Sequence, residues 1–150
     1  MRKSVTEDTS VIAEILHEAE VLWLALVDAQ GPHCVPVNFA LENDTLYIHS
    51  GKKGRKAACL DSGNSLAFSA AVDVRMREAS EQDACNQGFY FKSVMGSGTP
   101  RLLDGDEKLH GLDLITVKYL GKQLPYVDKL LPVTVVYAID IETVSARVKE

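Results

Sequence analysis

Val21-Leu22-Trp23-Leu24-Ala25-Leu26-Val27, then His33-Cys34-Val35-Pro36-Val37-Asn38-Phe39-Ala40-Leu41, then Thr45-Leu46-Tyr47-Ile48-His49: these three runs decide the fold. The first is too short and too apolar for a surface helix, so it reads as a buried strand. It ends in the turn Ala29-Gln30-Gly31-Pro32. In the second run Val35, Val37, Phe39 and Leu41 share one face by strict alternation. Pro36 cannot donate to a ladder, so an edge, a bulge or a ligand is expected beside it. Glu42-Asn43-Asp44 turns the chain into the third run. Consecutive strands joined by turns this tight must be antiparallel.

Upstream, Asp8, Thr9 and Ser10 can each cap a helix, and Ile12, Ile15, Leu16 and Ala19 form its apolar stripe. Downstream, Ser50-Gly51-Lys52-Lys53-Gly54 reads as a loop, Arg55 to Leu60 as a short helix and Ser65 to Val74 as a strand. Residues 76–88 are polar without a period and read as a loop. Phe89 to Leu103 is a long strand, bent at Gly96-Ser97-Gly98. Asp104-Gly105 opens a helix that runs to Leu120, with Asp106 and Glu107 where the helix dipole favours acids. Pro132 to Ile141 is the last strand. The expected fold is mainly β with helices (α+β), a six-stranded antiparallel split β-barrel with helices packed outside, in one domain over residues 1–150.

The chain has 150 residues, 46% of them hydrophobic and 25% charged, a globular composition. Its longest apolar run, Val21 to Val27, is far short of the ~20 residues of a membrane helix. After Met1-Arg2-Lys3 comes a polar stretch, so no secretory signal is expected. Cys34, Cys59 and Cys85 are odd in number and lack a C-x-x-C pair, which argues against a disulfide scaffold and a zinc knuckle. A cytoplasmic protein with free thiols is expected. The net charge of −5 argues against a general nucleic-acid binder. Lys52, Lys53, Arg55 and Lys56 nevertheless form a basic island, which fits a small anionic ligand held at one place.

That island lies in a strand–loop–helix unit, Leu46 to Lys56. Glycines let backbone approach a ligand, Ser50 offers a hydroxyl, and Arg55 offers a fork suited to phosphate oxygens. The parts describe a phosphate cradle without Walker spacing; the alternative is a solvated basic turn. His33 and Cys34 are strand neighbours whose side chains point to opposite faces, so they form no nucleophilic pair. Cys59 and Cys85 read as packing or loop thiols, and His17 and His110 as helix-face residues. No Ser–His–Asp order or metal-ligand cluster stands out.

Val35-Pro36-Val37-Asn38-Phe39, Leu46 to Gly51 followed by Gly54-Arg55-Lys56, Tyr90 to Gly98, and Asp106-Glu107-Lys108 occur in that order. Over essentially its whole length the chain resembles the FMN-binding split-barrel family of pyridoxamine 5'-phosphate oxidase-like proteins, within it the nitroimidazole-resistance branch. The resemblance implies a homodimer of six-stranded split barrels with FMN at the subunit interface. It places Val35, Pro36, Val37 and Asn38 along the flavin ring, and His49 and Ser50 where the strand leaves it. It makes Arg55 and Lys56 the phosphate-binding pair, and puts Lys92 and Ser93 on a strand bordering the cofactor. His49 becomes the polar group near the reacting edge. The activity implied is that of an oxidoreductase, with a reduced nicotinamide or another donor and a small acceptor such as a nitro-aromatic. The alternatives are a flavin carrier or sensor without turnover, and a haem-binding relative with a histidine axial ligand. His33-Cys34 replaces the family's Pro-Tyr, and Val144-Ser145-Ala146-Arg147 replaces its closing Thr-Gly-Lys. With the arginine-rich substrate segment also missing, oxidation of pyridoxamine phosphate is not expected.

Overall fold

The computed structural model describes residues 4–78 and 81–150. Met1-Arg2-Lys3, on which the expected absence of a signal rests, lies outside them, as do two residues of the loop read at 76–88. The elements run β1 (Val5–Thr6), α1 (Thr9–Glu18), β2 (Leu22–Asp28), β3 (Gly31–Val37), β4 (Ala40–Glu42), β5 (Thr45–Gly51), α2 (Arg55–Asp61), β6 (Leu66–Met76), β7 (Phe89–Leu103), α3 (Gly105–Leu120) and β8 (Thr134–Lys149). A single 3-10 turn, Leu131–Val133, precedes β8. The fold is α+β and mainly antiparallel sheet, as expected.

All eight strands described belong to one sheet, in the order β3-β2-β6-β7-β8-β5-β4, with β1 added beside β8. Every pairing is antiparallel. The edge strands β3 and β4 are joined by Asn38 and Phe39 alone. Laid flat, the seven strands of the path would put those edges about 28 Å apart, at ~4.7 Å per neighbour. The three Cα steps from Val37 to Ala40 reach at most about 11 Å. The sheet therefore curls until its edges nearly meet, and the join marks the split of the barrel.

One interior cluster fills the curl. Leu22, Leu24 and Leu26 of β2 meet Leu46 and Ile48 of β5, Leu66 and Phe68 of β6, Val94 of β7 and Tyr137 and Ile139 of β8. Helix α1 is capped by Asp8, whose carboxylate accepts from the Ser10 N–H at 2.9 Å. Its stripe of Ile12, Ile15 and Leu16 belongs to this interior cluster, as do Cys59 and Leu60 of α2. Helix α3 packs outside the sheet, as expected. Its Leu112 covers Leu103, Val136 and Ala138, a separate small cluster on the other face.

Three strand expectations are corrected. The run His33–Leu41 is two strands, because the chain changes sheet edge at Asn38. β2 is buried on one face only: Trp23 and Val27 remain 49% and 66% exposed. β8 continues past Ile141 to Lys149, its polar Thr143, Ser145 and Arg147 alternating with Val144, Ala146 and Val148.

At Gly96-Ser97-Gly98, where a bend is expected, the pairing with β8 shifts register. Ser97 pairs with Thr143 but Gly98 pairs with Ile141, so β8 carries one extra residue there. A Cβ on Gly98 would lie 2.5 Å from the Asp140 carbonyl oxygen and 2.8 Å from Ile139 Cγ2. Gly98→Ala is therefore expected to cost about 1–3 kcal/mol in urea denaturation. Gly51→Ala, whose Cβ meets nothing within 4 Å, is the comparison and is expected to leave stability unchanged.

Candidate functional site

The split opens into a cleft of about 270 Å³ lined by Val21, Pro36, Val37, Asn38, His49 and Lys56. Ligand pockets span roughly 300–1,000 Å³, so this open cleft is one wall of a site more than a closed cavity. The end of β3 supplies Pro36 and Val37, the end of β5 supplies His49, and the first turn of α2 supplies Lys56. Trp23 pairs with Pro36 and Leu22 with Val37, so Pro36 faces outward and Val37 inward. Asn38 follows in the split, and its Nδ2 donates to the Glu20 carbonyl at 3.3 Å.

Alternation along β5 separates the residues predicted at its end. Leu46, Ile48 and Ser50 face the core, and Ser50 is only 6% exposed. Its hydroxyl is not part of the cleft lining. His49 faces the other way, exposed at the cleft. The protein packed round its ring, and then the charge of Lys56, lower its pKa below the ordinary 6.5. At neutral pH His49 is uncharged, with one ring nitrogen a donor and the other an acceptor.

The expected pair Arg55 and Lys56 is divided. Successive helical residues point about 100° apart, and here the two side chains take different directions. Lys56 lines the cleft, whereas Arg55 does not. Arg55 Nε donates to Asp28 Oδ2 at 2.8 Å, and its Nη2 donates to Asp28 Oδ1 at 2.8 Å and to the Gly31 carbonyl at 3.0 Å. This bidentate fork clamps the β2–β3 hairpin onto α2. Gly54, at φ 107°, supplies the left-handed turn that starts the helix. The hydrogen bonds from Arg55 outweigh partial burial and hold the Asp28 carboxyl at about 2.

Val35 lies on the inward face of β3, opposite Leu24, and packs against the core. Lys92 and Ser93 are on β7, opposite Val72 and Ala71 of β6, and line no part of the cleft. Lys92 Nζ pairs instead with the Glu150 carboxylate at 3.3 Å. The structure thus gathers Pro36, Val37, Asn38, His49 and Lys56, and leaves Val35, Ser50, Arg55, Lys92 and Ser93 outside the lining. Sequence reasoning missed Val21, which directly precedes β2, and Asp28. A hairpin acid 27 residues from its arginine carries no periodic signal. Among the described residues no group of His, Cys, Asp and Glu could hold a metal ion. No helix there is long and apolar enough to cross a membrane.

The sequence model of the pyridoxamine 5'-phosphate oxidase family matches residues 8–148, and the chain belongs to that family. No curated protein sequence is significantly similar to it. Among solved structures it is similar to a candidate 5-nitroimidazole antibiotic resistance protein from Bacteroides thetaiotaomicron, with 29% identity and a TM-score of 0.83 over 96% of this chain and 86% of that one. It is also similar to an FAD- and haem-binding protein from Mycobacterium smegmatis, with 21% identity and a TM-score of 0.88 over 99% and 74%. A flavocytochrome from Azotobacter vinelandii has 20% identity and a TM-score of 0.83 over 98% and 70%. These last two likenesses establish the shared split-barrel fold.

The clamp has a pH signature. A carboxyl at about 2 in the folded chain, against its ordinary 3.8, adds stability that is present above 3.8 and is lost as pH falls through 2. Asp28→Asn is expected to lower stability at pH 7, and its deficit against the wild type should shrink steadily between pH 4 and 2. Denaturant titrations across that range measure it; a deficit that does not change with pH would contradict the clamp.

Proposed function

We propose that the cleft binds FMN and that the protein is an FMN-dependent oxidoreductase acting on small molecules. The observation that carries this reading is the meeting, in one cleft, of an apolar wall, an amide, an uncharged imidazole and a single cation. Val21, Pro36 and Val37 offer a surface for a flat ring, Asn38 a hydrogen-bonding edge, and Lys56 a charge for the phosphate. Membership of the family supports a flavin, and the names of the similar structures support it further. FMN would supply the redox chemistry when bound, taking electrons from a donor such as a reduced nicotinamide and passing them to an acceptor such as a nitro-aromatic.

The chain's own residues bind and orient. Lys56 holds the phosphate end as a point charge while Arg55 holds the loop that presents it. His49 borders the ring without adding a second positive charge. The cleft is open on one side, and Val21 continues it into a groove lined by Trp23 and by Ser69 to Val72. We infer that a second copy of the chain covers both. Trp23 and Met95, 49% and 65% exposed, supply apolar surface for it. Lys92 and Ser93 would then reach the cofactor only from the other copy.

Four measurements test this. FMN is expected to bind far more tightly than riboflavin, because Lys56 loses its partner when the phosphate is absent; equal affinities would contradict the assignment. Lys56→Ala is expected to weaken FMN by about 10- to 100-fold, the worth of one charge-assisted hydrogen bond, with stability unchanged. Arg55→Ala is expected to lower stability instead, by breaking the Asp28 clamp. Light scattering should give about twice 16.4 kDa, and a monomer that holds FMN would overturn the two-copy site.

A further inference from the structure

Where β3 and β4 part, the Phe39 N–H has no strand opposite it. Tyr119, at the end of α3, fills that vacancy. Its hydroxyl accepts from the Phe39 N–H at 3.1 Å and donates to the Glu20 carbonyl at 2.7 Å. The same carbonyl accepts from Asn38 Nδ2 at 3.3 Å. Glu20 directly precedes Val21, so this one hydroxyl ties the Val21 side of the cleft to the Asn38 side. Lys118 pulls in the same direction. Its Nζ donates to the Leu16 carbonyl at 3.0 Å and sits 3.5 Å from the centroid of the Phe39 ring. Helix α3 itself contributes nothing to the cleft lining.

We propose that Tyr119 is a positioning residue for the cofactor cleft, fixing the spacing between Val21 and Asn38 across the split. The proposal rests on the reading of the cleft as the FMN site. It has a physical reason to act through one hydroxyl. A backbone N–H left unpaired at a part-buried break must find another partner, and the segment carrying Asn38 has to shift to find it. Loss of the hydroxyl would leave the tyrosine ring in place and the core untouched, so the barrel should still fold.

The test is Tyr119→Phe in the full-length protein, with Tyr126→Phe as its comparison. Tyr126 lies against α3, its hydroxyl set against the Leu109 carbonyl and the Asp113 carboxylate, and so bonds neither Phe39 nor Glu20 at the split. Each variant should lower the melting temperature by about 2–4 °C. Only Tyr119→Phe should weaken FMN, by about tenfold, and shift the absorption bands of the bound flavin. If the wild type binds FMN and Tyr119→Phe keeps the same affinity and spectrum, the positioning role is wrong and the cleft assignment stands. If Tyr126→Phe weakens FMN as much, the effect is general loosening and the role is again wrong. If the wild type binds no FMN, the cleft reading falls and the proposal with it.

Discussion

Two residues, Asn38 and Phe39, carry the chain from one edge of the sheet to the other, and much of the architecture follows from that short reach. The sheet has to curl. Its inner face then encloses a core that α1 and α2 complete. Its edges come close at the join, but the strands part there, which leaves a gap in the wall. The gap is where the chain gathers its apolar, polar and cationic groups into one cleft. Fold and site are consequences of the same constraint.

A gap in a sheet also exposes backbone polar groups that a ladder would have satisfied. The protein meets this with side chains from distant parts of the sequence. Tyr119 reaches the break from 80 residues away, and Arg55 ties the far end of the β2–β3 hairpin to α2 from 27. Neither interaction belongs to the sheet, yet together they hold β3 at both ends. The two neighbours Arg55 and Lys56 consequently have different tasks, one pinning the wall and the other facing the cleft.

Much of the fold was legible in the sequence: α1 from its stripe, β2 from an apolar run too short for a helix, β5 from the turn at Glu42-Asn43-Asp44 before it. The break between β3 and β4 was not, because Val35, Val37, Phe39 and Leu41 continue their alternation straight through it. The second half of β8 was hidden by Thr143, Ser145 and Arg147, which look like a polar loop until their spacing of two is noticed. At the site, Pro36, Val37, Asn38, His49 and Lys56 come together from three elements. The same alternation that turns His49 outward turns Ser50 inward, so that separation could have been read from β5 alone. Arg55's partner could not. Asp28 is fixed by a tertiary contact, and nothing local marks it.

An acidic chain that concentrates four cations in five residues needs a reason to keep them together. Here the Asp28 pairing neutralises one, the cleft takes another, and Lys52 and Lys53 remain exposed on the loop. We propose that the split at Asn38 and Phe39 is the binding wall for FMN. A crystal structure of the protein with FMN tests it most directly. The phosphate is expected within hydrogen-bond distance of Lys56 Nζ, and the ring against Pro36, Val37 and Asn38 beside His49. A flavin seated instead in the apolar groove between Trp23 and Met95, with Lys56 in solvent, would contradict it.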